Sequence, residues 1–136
     1  MRLIKTREVI VHFERCTGRR LEVVSRLRVR RLFRTKIDTL GLPEEDERFG
    51  YFEISVYLNP EVALMEPFLT SPLEVGPGQI RWGRHVPERL DEQGFWVVSR
   101  MYRNVLLSWN CEIPPRPREP WRRLDEILRS LPGLSR

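Results

Sequence analysis

The clearest hydrophobic pattern in the chain is a strict alternation over residues 51–58, with apolar side chains at the even positions. Successive side chains of a strand point to opposite faces, so this period of two predicts a strand with one buried face. Two more apolar runs, residues 95–101 and 105–111, are joined by Tyr102-Arg103-Asn104 and predict an antiparallel hairpin. A weaker run at residues 80–82 predicts a short strand.

The N-terminal part of the chain begins with a short apolar run at residues 8–13, Glu-Val-Ile-Val-His-Phe. Its β-branched residues favour a strand. Gly18 then supplies a residue that tolerates a positive φ, which predicts a turn. Residues 21–24 are expected to return as a second strand.

Residues 25–42 fit two different periods. Their odd positions could form one face of a strand, whereas apolar residues spaced by three and four could form one stripe of a helix. The segment ends in Gly41-Leu42-Pro43, which is typical of a helix C-terminus. We therefore predict a helix over residues 25–40.

Prolines organise the rest of the chain. Asn59-Pro60-Glu61 is typical of a helix start, and Pro67 and Pro72 keep that helix short. Residues 114–120 are proline-rich and predict a stiff, extended connector. The last segment spaces apolar residues as one face of an amphipathic helix: Trp121, Leu124, Leu128 and Leu131.

These elements predict an α+β fold, with an antiparallel sheet of about four to five strands and two to three helices, including the C-terminal amphipathic helix. We divide the chain into a basic core, residues 1–113, and the connector with its helix, residues 114–136. Docking of this helix back on its own sheet is the favoured interpretation. Docking into a groove on a partner, with Trp121 as the anchor, is the alternative.

A length of 136 residues with 40% hydrophobic and 32% charged residues is ordinary for one globular domain. No apolar run approaches the roughly 18 residues of a membrane span, and the first residues lack a signal-peptide pattern. The two cysteines, Cys16 and Cys111, are too few for a disulfide framework. We expect a cytoplasmic protein with reduced thiols and no membrane partner.

Catalytic and ligand-binding motifs are missing from the sequence. Gly76-Pro77-Gly78 lacks the lysine and the following helix of a phosphate-binding loop. The histidines, His12 and His85, do not stand in a zinc-ligand pattern, and runs of adjacent acids are more simply solvated. We expect no metal, no cofactor and no enzyme activity. A small nuclease is the least favoured of the functions considered.

The positive charge is concentrated at the N-terminal end. Residues 1–37 contain twelve Lys or Arg and three acids, a net charge of +9, whereas the other 99 residues contain twelve basic and sixteen acidic groups, a net charge of −4. The basic residues are 22 Arg and only two Lys. Arginine favours planar, bidentate contacts with carboxylates and phosphates, so an acidic partner is expected.

The strongest candidate for that contact is the arginine row Arg26, Arg30 and Arg34. These residues share one side of the chain both on a helix and on a strand. Arg28 and Lys36 add to the same positive surface, and no acid occurs between Glu22 and Asp38. The row is either neutralised by acids from elsewhere in the fold or bound by an external polyanion.

A second candidate contact is Trp82, which lies between Arg81 and Arg84. An aromatic ring flanked by arginines suits a nucleic acid or a protein hot spot. A tryptophan that covers the edge of the sheet is the structural alternative.

The sequence therefore predicts a small basic binding or regulatory protein that docks on an acidic partner. An acidic protein surface is favoured over nucleic acid, because no nucleic-acid-binding motif is visible. A component of nucleic-acid machinery, such as a transcription complex, is one such partner. Direct nucleic-acid binding and a structural role in a larger assembly are the alternatives, and the oligomeric state is left open.

Overall fold

The computed structural model describes residues 2–29, 35–44, 49–58, 80–85, 95–111 and 120–134. These residues form two helices: α1 (Thr6–Thr17) and α2 (Trp121–Arg129). They also form six strands: β1 (Glu22–Val29), β2 (Thr35–Gly41), β3 (Tyr51–Tyr57), β4 (Ile80–His85), β5 (Phe95–Tyr102) and β6 (Val105–Cys111). The fold is α+β, as the sequence predicts. Neither of the helices in these ranges is long and apolar enough to cross a membrane.

The six strands form one antiparallel sheet in the order β1-β2-β3-β6-β5-β4. The strands predicted near residues 51–58, 80–82, 95–101 and 105–111 are confirmed as β3, β4, β5 and β6. The short helix predicted after residue 59 lies outside the described residues. Strands β1 and β4 are the two edges of the sheet, so features on these strands lie at opposite edges of the sheet.

The strand predicted at residues 8–13 is wrong, because these residues lie within α1. Val9 and Phe13 are four residues apart and both are buried, which is the spacing of one helix face. The helix begins where the Lys5 amide donates to the Glu8 carboxylate (2.7 Å), and it ends at Gly18, whose φ is 68°. Burial of that face outweighs the modest strand preference of the β-branched residues.

The helix predicted over residues 25–40 is also wrong, because this segment contributes to two paired strands, β1 and β2. Arg26 is opposite Asp38 in the register, and a β-bulge interrupts the pairing between Val23 and Ser25. Gly41 ends β2 rather than a helix. The pairing of β2 with β3 buries Leu40 against the core, a long-range gain that local periodicity does not reveal.

The main core lies between the two helices and one face of the sheet. Its fully buried members come from almost every described element and include Ile4, Val9, Phe13, Leu40, Ile54, Val56, Val98, Val105, Leu107, Trp121, Leu124 and Leu128. Residues of the opposite parity are buried on the other face of the sheet as well, notably Ile37, Tyr57, Met101 and Leu106. The second face of the sheet is therefore buried in part, whereas Leu27 and Tyr51 on the same face are exposed.

The turn between β5 and β6 connects distant parts of the chain. The Asn104 side chain is fully buried, accepts a hydrogen bond from the Ile4 amide (2.9 Å) and donates to the Ile4 and Tyr57 carbonyls (2.8 and 2.9 Å). Arg103 has a positive φ of 56°, and its guanidinium donates to the carbonyls of Arg2 and Leu134. These bonds offset the backbone strain and hold the N-terminal segment beside the C-terminal one.

Helix α2 packs on the sheet of its own chain. Trp121 is only 1% exposed and belongs to the core, together with Leu124, Ile127 and Leu128. Self-docking, the interpretation favoured from the sequence, is therefore the arrangement in the structure. Trp121 is not available as an anchor for a partner, because its side chain is already surrounded by its own core.

Candidate partner-binding site

The first residue of the predicted arginine row lies on a strand and not on a helix. Arg26 lies on edge strand β1, whereas Arg30 and Arg34 lie outside the described residues. The neighbour that shares a face with Arg26 on β1 is Arg28, which is paired in register with Lys36 of β2. We call the exposed group Arg26, Arg28 and Lys36 the β1 patch.

The β1 patch surrounds one buried carboxylate. Arg28 Nη2 lies 2.8 Å from Asp38 Oδ1, and Arg26 Nε lies 3.8 Å from the same oxygen. The Asp38 side chain is 6% exposed, whereas those of Arg26 and Arg28 are 65% and 43% exposed. The sequence offered no acid between Glu22 and Asp38, and the structure shows that Asp38 itself is the internal partner. Pairing across the two strands brings these residues together.

Asp38 also links the β1 patch to helix α1. Thr6 Oγ1 in the first turn of α1 donates to Asp38 Oδ2 (2.7 Å). Burial raises the pKa of Asp38, but the hydrogen bonds from Thr6 and Arg28 and the charges of both arginines outweigh it, so the pKa is lowered. Asp38 is therefore ionised at neutral pH. Its one negative charge does not neutralise the three positive charges of the patch.

Helix α1 carries a second basic surface on its outer side. Arg7, Val11 and Arg15 follow one another at intervals of four residues, and all three are exposed, Val11 by 42%. A shallow groove of about 330 Å³ runs along this side of the helix. Its lining residues are Lys5, Arg7, Glu8, Val11, His12, Arg15 and Pro132. We call it the α1 groove.

Three acids on the helix side of the molecule, Glu8, Glu14 and Asp125, are used inside the fold. Glu8 accepts hydrogen bonds from Arg2 (2.9 Å) and from the Lys5 amide, and Glu14 accepts one from the Leu21 amide (3.1 Å). The backbone hydrogen bond from Lys5 is the main cause that lowers the pKa of Glu8. Asp125 is bound by Tyr102 and Arg100. None of these three carboxylates pairs with Arg7 or Arg15.

By contrast, Arg7 and Arg15 form no ion pair or hydrogen bond in the described part of the chain. Arg20 and Arg122 share this property and are also exposed. The α1 groove was not predicted from the sequence, because the β-branched residues within 8–13 favour a strand. The spacing of Arg7, Val11 and Arg15 would have indicated it once the helix was recognised.

His12 joins the two helices at the side of the α1 groove. Its Nε2 donates to the Ile127 carbonyl (2.8 Å) and lies 2.9 Å from Ser130 Oγ. Cys16, four residues further along α1, places its Sγ 3.7 Å from the same nitrogen. His12 is thus hydrogen-bonded and half-buried on the helix. In the described residues, no group of three His, Cys, Asp or Glu side chains could hold a metal ion.

A wider groove of about 880 Å³ lies beside β1, β2 and β3 and has the opposite charge. Ser25 and Thr39 line it, and among the described residues its charged side chains are Glu44 and Glu53. The Tyr51 hydroxyl donates to Glu53 (3.2 Å), and the charge of Glu53 raises the pKa of Tyr51. An acidic partner is therefore attracted to the β1 patch and the α1 groove rather than to this groove.

The predicted contacts Arg81, Trp82 and Arg84 lie on β4, the sheet edge opposite β1. Their backbone is paired with β5, and their side chains lie outside the described part of the structure. The structure therefore does not bring them together with the β1 patch, and they are not part of the same site.

The site is thus a basic surface made of two neighbouring parts, the β1 patch and the α1 groove, linked through Thr6 and Asp38. A comparison of the chain with protein-family models, with curated proteins and with solved structures found no match.

Proposed function

We propose that this chain is a small, basic, non-enzymatic protein of the cytoplasm that docks on an acidic surface of a partner protein through the β1 patch. The partner class is a component of nucleic-acid machinery, such as a transcription complex. The observation that carries the proposal is the unequal exposure around Asp38. The Asp38 carboxylate is buried, whereas the side chains of Arg26 and Arg28 are 65% and 43% exposed.

The charge balance of the β1 patch leaves it cationic. Asp38 offers one negative charge, and its second oxygen is taken by Thr6, while Arg26, Arg28 and Lys36 carry three positive charges. The Arg26 contact, at 3.8 Å and mostly in solvent, is of the kind that contributes about 0–1 kcal/mol. Arg26 can therefore exchange this contact for a carboxylate on a partner at little cost.

The shape of β1 favours contact through side chains. An unprotected edge strand can pair its backbone with another chain, but bulges and charged residues on the edge oppose this. Strand β1 has both, a bulge between Val23 and Ser25 and the exposed Arg26. We expect the partner to contact the guanidinium groups rather than to add a strand to the sheet.

An exposed apolar residue between arginines favours a protein partner over nucleic acid. Val11 of α1 is 42% exposed and lies between Arg7 and Arg15, whereas the exposed Leu27 of β1 alternates with the arginines of the β1 patch and faces the other side of the sheet. A phosphate backbone gains little from apolar side chains, whereas protein interfaces bury them beside arginines. This mixture of arginine and aliphatic residues is the reason for choosing a protein surface.

The test is a charge reversal that spares the fold. The double variant Arg26→Glu/Lys36→Glu lowers the net charge of the patch by four units but retains Arg28, which lies closest to Asp38. Its matched control is Arg20→Glu/Arg122→Glu, which makes the same change at exposed arginines without contacts among the described residues. Each protein is used to capture partners from lysate, and affinity for the purified captured protein and for random-sequence DNA is measured over a range of salt.

We expect the β1-patch variant to lose one stoichiometric protein partner and the control to retain it. Tight DNA binding with a steep salt dependence, lost in the same variant, would replace the protein proposal with direct nucleic-acid binding. If neither kind of binding changes, the β1 patch is a solvated surface and the proposal is wrong. Thermal melts of both variants check that the fold is retained.

A further inference from the structure

We infer that the α1 groove is a separate docking site for an acidic amphipathic helix of a partner protein. This inference concerns a different surface from the β1 patch and does not depend on the proposed function. It rests on three features of the groove: two arginines without an ion pair among the described residues, an apolar strip between them, and polar neighbours that are already hydrogen-bonded within the fold.

The two arginines define the spacing of the ligand. Arg7 and Arg15 are eight residues apart on α1, which corresponds to about 12 Å along a helix axis. Both are exposed and without an ion pair in the described residues. Two carboxylates about two turns apart on a second helix match this spacing, and each can accept paired hydrogen bonds from one guanidinium.

The strip between the arginines is apolar. Val11 lies midway between Arg7 and Arg15 and is 42% exposed, and Pro132 borders the groove from the segment after α2. At about 330 Å³, the groove is at the lower end of the size of ligand pockets. An apolar side chain placed between the two carboxylates would cover Val11, which is the pattern of a helix docked in a groove.

The polar groups of the groove are held in place without a ligand. The Glu8 carboxylate is bound by Arg2 and by the Lys5 amide, so its charge is compensated within the fold. His12 is fixed by its hydrogen bond to the Ile127 carbonyl. The charges left to face a ligand are those of Arg7 and Arg15, and a docked helix does not have to displace an internal contact of theirs that the structure describes.

Charge complementarity selects the occupant. A second copy of this chain would place arginines against arginines in a symmetric contact, which is repulsive. A nucleic acid would satisfy the arginines but leave Val11 and Pro132 against a phosphate backbone. An acidic amphipathic helix satisfies both the charged and the apolar part of the groove.

The test uses a synthetic helix-stabilised peptide of about 18 residues, with two glutamates about eight residues apart and a leucine midway between them on the same face. A scrambled peptide of identical composition is its control. Affinity for the full chain is measured by fluorescence anisotropy, and the contact surface is mapped by backbone amide shifts. We expect the shifts to cluster on α1 and near Pro132.

Two variants should each weaken binding of the peptide by about tenfold or more, Arg7→Glu/Arg15→Glu and Val11→Asp. The matched control Arg20→Glu/Arg122→Glu should change it less than about twofold. The β1-patch variant Arg26→Glu/Lys36→Glu should also bind the peptide normally, so failure of the two proposals can be told apart.

Three results would overturn the inference: equal affinity for the scrambled peptide, shifts that map away from α1, or a Val11→Asp variant that binds as tightly as the wild type. Random-sequence duplex DNA that competes for the groove in a Val11-independent way would assign it to phosphate instead. Circular dichroism melts establish that Val11→Asp and the charge reversals remain folded.

Discussion

The hydroxyl of Tyr102, at the end of β5, donates a hydrogen bond to the carboxylate of Asp125 on α2. The same carboxylate lies 3.3 Å from Arg100 Nη1 and 3.5 Å from Arg129 Nε. The Arg100 guanidinium also lies 5.6 Å from the centre of the Tyr102 ring. This largely buried cluster fixes the position of α2 on the sheet, and with it the border of the α1 groove.

Replacing Tyr102 with Phe should lower the free energy of unfolding by about 1.5–3 kcal/mol, because the lost hydrogen bond is to a charged acceptor with little access to solvent. Chemical denaturation measures the change. Tyr51→Phe is the matched control, because the Tyr51 hydroxyl also contacts a carboxylate but the residue is 61% exposed. An equal loss in both variants would show that the buried Tyr102 hydrogen bond contributes no more to stability than the exposed one of Tyr51.

Alkaline pH should destabilise the protein through the same residue. Burial, with the hydrogen bond and charge of Asp125, raises the pKa of Tyr102 well above its ordinary value of 10.0. An unfolded chain therefore loses this proton from about pH 10 upward, while the folded state retains it. The stability contributed below pH 10 is lost progressively above it, by up to about 1.4 kcal/mol per pH unit. Denaturation of Tyr102→Phe should show a shallower decline over this range.

Acidic pH should destabilise the protein by protonating Asp38. Its pKa is lowered in the folded state, so its contribution to stability is present above the ordinary aspartate pKa, near 4, and is lost as the pH falls through the lowered value. Asp38→Asn should cost about 1–2 kcal/mol at neutral pH and flatten the decline below pH 4. Urea titrations at several pH values measure both effects. Glu44→Gln, at an exposed carboxylate, should leave the profile unchanged.

The buried amide of Asn104 should be among the least replaceable groups in the fold. Asn104→Ala removes three hydrogen bonds and leaves the Ile4 amide without its acceptor, at an expected cost of about 3 kcal/mol. Thermal denaturation measures the loss, and hydrogen exchange at Ile4 should accelerate in parallel. A loss below about 1 kcal/mol would mean that another acceptor replaces the side chain.

Two glycines with positive φ make a matched pair. A Cβ at Gly18 (φ 68°) meets nothing within 4 Å, so Gly18→Ala should cost about 1–2 kcal/mol from backbone strain alone. A Cβ at Gly50 (φ 62°) would lie 2.8 Å from Nε1 of the buried Trp109. Gly50→Ala should therefore be clearly more destabilising than Gly18→Ala in the same melting experiment, and the reverse order would contradict the close approach.

The sequence predicts the elements whose pattern fits only one period. Residues 51–58 alternate strictly and form β3, and the apolar spacing after Trp121 is that of the face α2 buries. The predictions for residues 8–13 and 25–40 are wrong for opposite reasons. The first segment is rich in β-branched residues but forms a helix, and the second has a helical period but contributes to two strands. In both cases burial against distant residues, Phe13 in the core and β2 beside β3, decides the outcome.

The candidate site was predictable only in part. The concentration of positive charge near the N-terminus is plain in the sequence, and Arg26 and Arg28 are indeed exposed. The partner of these arginines was not visible, because Asp38 reaches them across two paired strands. The α1 groove was missed for a similar reason, since Arg7 and Arg15 lie on one surface only when the segment between them is helical.

The bonds between Ile4 and Asn104 have a consequence for the order of events during synthesis. The groups that anchor the start of α1 are made 100 residues after it, which takes roughly 5–20 s at ordinary translation rates. Until then the apolar side chains of Val9 and Phe13 have no core to pack against, and α1 on its own is a short helix of marginal stability in water. We therefore expect folding to be completed only after Asn104 has left the ribosome, and the nascent chain to be a substrate for chaperones that bind apolar segments.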